Sequence, residues 1–198
     1  MIRLIGILIM IAGAVQQPTP AEAQRRQDVY AIYSVMMSYP PSLIYKNDDV
    51  GAAVLAIASV MTPAMPNKPC IVPPSEYAVR WTEVLADFDA RKDAPRTLDR
   101  DLKILKPYVY LNPDEVRGYV NPRRVTPSEP LAETATQEKK EVFTLSDVYF
   151  NRDGTLALTG LRIWCGNLCE SARWSIFEKT SNGEWKQVRP ESNCYQVA

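Results

Sequence analysis

The 198-residue chain carries 23 Lys and Arg against 23 Asp and Glu, a formal net charge of zero, so no long-range field draws it to nucleic acid or to an anionic membrane. It contains no histidine, which excludes Ser-His-Asp and Cys-His catalysis, histidine-based zinc sites and the commonest general base near neutrality. No nucleophile-base pair, phosphate-cradling loop or metal-ligand cluster is legible either, so neither enzymatic activity nor a cofactor is expected.

The N-terminus reads as a secretory leader. A lone Arg3 precedes the apolar run Leu4 to Val15, and after Pro18-Thr19-Pro20 comes the small-residue triplet Ala21-Glu22-Ala23. This layout predicts a signal peptide over 1–23 with cleavage before Gln24. The run is too short for a membrane span, which needs about 20 apolar residues. Removing the leader takes away Arg3 and Glu22 and keeps the charge balanced. The expected mature protein is a single domain over 24–198: a helical and irregular part over 24–130, a loop over 131–141 and a β-meander over 142–198.

Val29, Ile32, Tyr33, Met36 and Met37 recur at helical spacing and predict an amphipathic helix from Gln24 to Tyr39, stopped by Pro40-Pro41. A short strand fits 42–46. The apolar stretch 50–61 suits a helix or a strand equally. Thr62 to Pro74 is proline-rich and holds Cys70, so it reads as an extended connection. Ser75 stands as an N-cap before a second helix to about Arg91, with Tyr77, Trp81, Val84, Leu85 and Phe88 on one face. Asp87, Asp89 and Asp93 lack the glycine and distal glutamate of a calcium loop and read as a solvated face. The pairs Arg25-Arg26, Arg123-Arg124 and Lys139-Lys140 read as isolated surface charge. A short helix is expected near 114–119.

From Glu141 onward the segments 142–150, 155–165, 172–180 and 184–189 are β-prone and separated by turn-forming residues, Asn151 to Gly154 and Ser181-Asn182-Gly183. Short turns force antiparallel neighbours. Leu161, Ile163, Trp174 and Ile176 are expected to share one apolar face, with Arg162, Arg173 and Ser175 opposite. The predicted fold is α+β: two main helices packed on a C-terminal four-stranded antiparallel meander, with proline-rich irregular connections.

Four cysteines in an exported chain imply a disulfide framework with three connectivities. The five residues Cys165-Gly166-Asn167-Leu168-Cys169 turn sharply between two strands, favouring a Cys165–Cys169 bridge and leaving Cys70 to pair with Cys194. On the loop-entropy model the long bridge contributes about 5 kcal/mol and the short one about 2 kcal/mol.

The string Cys165 to Cys169, followed by Trp174 to Lys179 and by Gly183-Glu184-Trp185-Lys186-Gln187-Val188, resembles a family of small secreted bacterial proteins that has no assigned activity. The likeness spans about 142–189 and includes Asn151 and Gly154 in the preceding turn; the chain departs from it at Glu170 and Ala172, where the family tends to carry glycine. The resemblance implies the terminal meander and a secreted or periplasmic compartment, and carries over no activity. The residues favour a non-catalytic binding or envelope-associated module, with an unidentified envelope or protein partner and no membrane span after cleavage. The alternative is a thiol-disulfide exchange protein using Cys165 and Cys169. Carboxylate catalysis by Asp99 and Asp101, or by Asp147 and Asp153, rests on residue type alone.

Overall fold

The computed structural model describes residues 18–38, 54–61, 69–94, 96–99, 101–120, 141–164, 170–192 and 196–197. The strand expected at 42–46 and the loop at 131–141, apart from Glu141, lie outside these residues.

Helix α1 (Pro20–Ser38) starts four residues before the predicted boundary, because Thr19-Pro20-Ala21-Glu22 is a capping box. Glu22 accepts hydrogen bonds from the Thr19 N–H at 2.7 Å and hydroxyl at 2.8 Å, and the Glu22 N–H donates to Thr19 Oγ1 at 3.3 Å. Pro20 supplies the fixed dihedral that suits the first helical position. The five apolar residues picked out by periodicity are all buried.

The stretch left open at 50–61 contains strands: β1 (Leu55–Ala58) and β2 (Val60–Met61). A 3-10 turn over Ser75–Tyr77 leads into α2 (Ala78–Arg91). Ser75 makes no side-chain cap there; its N–H donates to Glu191 instead. There follow β3 (Arg96–Thr97), β4 (Tyr108–Leu111) and α3 (Pro113–Val120). Asn112 and Glu115 repeat the capping-box device at the start of α3. The C-terminal strands are β5 (Val142–Leu145), β6 (Tyr149–Phe150), β7 (Leu156–Trp164), β8 (Glu170–Lys179), β9 (Trp185–Val188) and β10 (Gln196–Val197).

This architecture overturns the four-stranded antiparallel meander with two helices. The main sheet is mixed, in the order β10-β8-β7-β5-β1-β4, with β6 also on β7 and β9 also on β8. Strand β1 runs parallel to both β4 and β5, while the C-terminal pairs are antiparallel. A separate ribbon pairs β2 with β3. The physical reason lies in β1: an unbroken apolar run such as Leu-Ala-Ile-Ala marks a strand covered on both faces, the usual setting of parallel pairing, rather than an alternating strand with one wet face.

Both faces of the sheet are covered. Ala157, Leu161 and Ile163 of β7 and Phe177 of β8 pack with α1, together with Leu55, Ile57, Phe143 and Leu145. Leu156, Leu158, Trp174 and Ile176 pack against Tyr77, Val84 and Phe88 at α2. Ala56, Ala58, Leu111 and Val142 continue this second face toward Val116 of α3. The expectation that Leu161, Ile163, Trp174 and Ile176 share a face is therefore corrected. Gly160 pairs with Trp174 and Leu161 with Arg173, so the apolar residues of the two strands alternate between two interiors.

Candidate functional site

Strand 142–150, expected to be continuous, is broken at Ser146 to Val148. Leu145 pairs with Leu161 and Tyr149 with Leu158, so three residues on one side face two on the other. This is a one-residue bulge, a device that bends a strand and re-aims its side chains. Ser146 takes the place of ladder groups: its N–H donates to the Gly160 carbonyl at 2.9 Å, and its hydroxyl accepts from the Gly160 N–H at 2.7 Å. The carbonyl of Ser146 accepts from the buried Tyr33 hydroxyl at 2.7 Å.

The bulge sends Asp147 to a meeting point of two arginines. Its side chain is 4% exposed, with Arg91 Nη1 at 2.6 Å and Arg96 Nε at 3.1 Å. Arg91, on the last turn of α2, also grips Asp87 one turn back through two hydrogen bonds of 2.7 and 2.6 Å and donates to the Val148 carbonyl. Asp87 in turn accepts from Arg25 of α1 at 2.7 Å and from the Phe150 N–H at 2.8 Å. Burial pushes the Asp87 carboxyl up, but the Arg91 hydrogen bonds, the Phe150 N–H and the charges of Arg91 and Arg25 outweigh it, so its pKa lies below the ordinary value. Burial lowers Arg91, yet its bond to Asp87 and the charges of Asp147 and Asp87 leave it raised. The chain of charges ties α1, α2, β3 and the bulge together.

Beside this network lies a cleft of about 500 Å³ between the N-terminal half of α1 and the segment 96–99. Arg25, Arg26 and Arg96 line it, with Glu22, Asp99, Asp147, Tyr30 and Tyr33, and Val29 and Leu98 add apolar surface. The three arginine side chains are each 42% exposed. Arg26 is paired with Asp99. The Tyr30 hydroxyl donates to Asp99 Oδ1 and accepts from the Asp99 N–H, both at 2.8 Å, and its ring meets Tyr33 edge to face. The Tyr33 hydroxyl is pushed well above its ordinary pKa by burial and by the nearby charge of Asp147.

Of the carboxylates singled out from sequence, Asp99 and Asp147 line the same cleft. Asp101 sits 3.4 Å from the Tyr108 hydroxyl, and Asp153 stands exposed in the 151–154 turn. Neither suggested pair is brought together by a shared contact in the described residues. Asp87 is not a solvated residue but the hub of an ion-pair chain, while Asp89 and Asp93 are exposed. Arg25 and Arg26, taken from sequence as surface charge, form part of the cleft wall. The signal overlooked was the break in the strand pattern that the adjacent polar residues Ser146 and Asp147 make between Leu145 and Val148.

Cys70 is disulfide-bonded; Cys165, Cys169 and Cys194 lie outside the described residues. Among the described residues, no group of three or more His, Cys, Asp or Glu is placed to hold a metal. No described helix is long and apolar enough to cross a membrane. No family model, no curated protein and no solved structure matches the chain.

Proposed function

We propose that this chain is an exported, disulfide-bonded module that binds a small polar ligand without transforming it, and that the ligand sits in the cleft between α1 and residues 96–99. The observation that carries this reading is the make-up of the cleft wall: three half-exposed guanidinium groups alternate with carboxylates and tyrosine rings around a space of about 500 Å³. That volume falls within the span usual for small-molecule sites, about 300–1,000 Å³. Each arginine has more N–H donors than its carboxylate partner takes up, while Asp99 offers an acceptor. A ligand bearing both donors and acceptors, such as a polyhydroxylated or zwitterionic molecule, meets a partner of each kind. The N-terminal leader pattern and the four cysteines support the compartment.

The test is a thermal-shift screen of sugars, amino acids and small carboxylates against the wild type and the Arg26→Ala/Arg96→Ala double variant, followed by calorimetry. At least one class should stabilise the wild type and fail to stabilise the variant. Equal stabilisation of both proteins, or no response to any class, overturns the cleft as the binding site.

A further inference from the structure

We infer that the ligand of the cleft carries a single carboxylate, held on the Nη1 and Nη2 edge of Arg96. The inference rests on the reading of the cleft as a small-molecule site, and deepens it by naming the charged group that the site takes. Backbone pairing fixes where Arg96 starts: Arg96 of β3 pairs with Met61 of β2, and the Leu98 N–H donates to the Ser59 carbonyl at 2.7 Å. Its guanidinium is then anchored along one edge, with Nε 3.1 Å from Asp147 Oδ2. That carboxylate is itself held on both oxygens, because Oδ1 accepts the Val148 N–H at 2.8 Å and Oδ2 also meets Arg91 Nη1 at 2.6 Å. Nη1 and Nη2 of Arg96 have no ion-pair or hydrogen-bond partner among the described residues, and they carry most of the N–H donors of the group. A guanidinium edge with paired N–H groups matches the two oxygens of a carboxylate. Anchoring it beforehand removes part of the side-chain entropy that binding otherwise costs.

Charge decides between a monoanion and a dianion. The guanidinium groups of Arg25, Arg91 and Arg96 share the carboxylates of Asp87 and Asp147, which leaves a single positive charge in excess. Arg26 is balanced by Asp99. Glu22 is committed to the cap of α1, where its Oε2 accepts both Thr19 bonds. A carboxylate neutralises the excess, whereas a phosphate dianion overshoots it and meets Asp99 and Asp147 as like charges. The rest of the wall suits a small organic acid: Val29 and Leu98 add apolar surface, and Asp99 can accept from a donor group of the ligand.

The experiment measures binding to the full chain, by thermal shift and calorimetry, of acetate, lactate and benzoate, each beside its amide, and of inorganic phosphate and glucose, with Arg96→Lys as the variant. At least one acid should bind and its amide should bind about tenfold more weakly; Arg96→Lys, which keeps the charge but not the paired N–H edge, should lose about tenfold in affinity for that acid. The comparison of acid with amide needs only the wild type, so it decides the matter even where the variant does not fold. Equal affinity for acid and amide, tighter binding of phosphate than of any acid, or an unchanged affinity in Arg96→Lys overturns the inference. If glucose or an amide alone binds the wild type and not the Arg26→Ala/Arg96→Ala double variant, the inference falls and the cleft reading stands. Failure of every probe to bind overturns both.

Discussion

Lys179 on β8 clasps the carboxylate of Asp28 on α1 with contacts of 2.7 Å to one oxygen and 2.9 Å to the other. The Trp185 indole N–H donates to the same carboxylate at 3.0 Å, and the Lys179 ammonium lies over the Trp185 ring. Asp28 is thus a buried charge with both a cation and a neutral donor. Replacing it by alanine leaves the other two groups without their acceptor, and should cost about 2–4 kcal/mol in urea unfolding. Asp28→Asn, which keeps an oxygen for Trp185, should cost less. Equal losses for the two variants would show that the carboxylate charge contributes nothing.

Asp87 gives the protein an acid-sensitive joint. Its folded pKa lies below the ordinary 3.8, so the stabilisation is present above that value and disappears as pH falls through the folded one. Urea midpoints measured between about pH 6 and pH 2 should decline in the wild type. In Asp87→Asn the protein should start less stable and show a shallower acid decline, and an unchanged slope would remove Asp87 from the joint.

Tyr149 sets an alkaline limit. Burial foremost, and the charge of Asp147 next, push its phenol up to about 12 against a partial opposing effect of Arg91. The neutral phenol is the form that the fold favours. Its stabilisation is complete below the unfolded value near 10 and is lost as pH rises through about 12. Phenolate absorbance should therefore lag behind that of free tyrosine, and Tyr149→Phe should lose less stability between those two pH values.

The cysteine pairing expected from sequence is open to direct test. Val72 bridges Ser192 in the antiparallel sense, and the sequence reading favours a Cys70–Cys194 bridge. Trp164 pairs with Glu170, and the short Cys165 to Cys169 sequence between them favours a Cys165–Cys169 bridge. Non-reducing peptide mapping should find these two bridges, and a Cys70–Cys165 or Cys70–Cys169 peptide would overturn the assignment. Cys194→Ser should cost about 2–5 kcal/mol and Cys169→Ser less. A thiol-exchange role would instead appear as dithiol exchange that vanishes in Cys165→Ser.

Helical periodicity found the buried face of α1, because a helix that packs along one side writes its spacing into the sequence. The turns at Asn151 to Gly154 and Ser181 to Gly183 were equally legible: both glycines adopt positive φ, 65° and 81°, a conformation that other residues reach only at a cost. What local pattern could not reveal was that β1 enters the sheet beside β5. That pairing joins residues far apart in the chain and leaves no mark on either segment beyond an unbroken apolar run. The cleft was hidden for the same reason. Arg25, Arg96, Asp99 and Asp147 come from three separate stretches, and only the fold gives them a common neighbourhood.

The Asp28–Trp185 contact joins residues 157 positions apart, and this sets the order in which the molecule can be assembled. Helix α1 cannot bury its charged anchor until β9, close to the C-terminus, has been synthesised, and β1 waits likewise for β4 and β5. Topologies dominated by such distant partners fold slowly, since loop closure must precede the contacts that reward it. While the chain is being synthesised, Asp28 of α1 therefore has neither its cation nor its indole donor until residues 179 and 185 have been made.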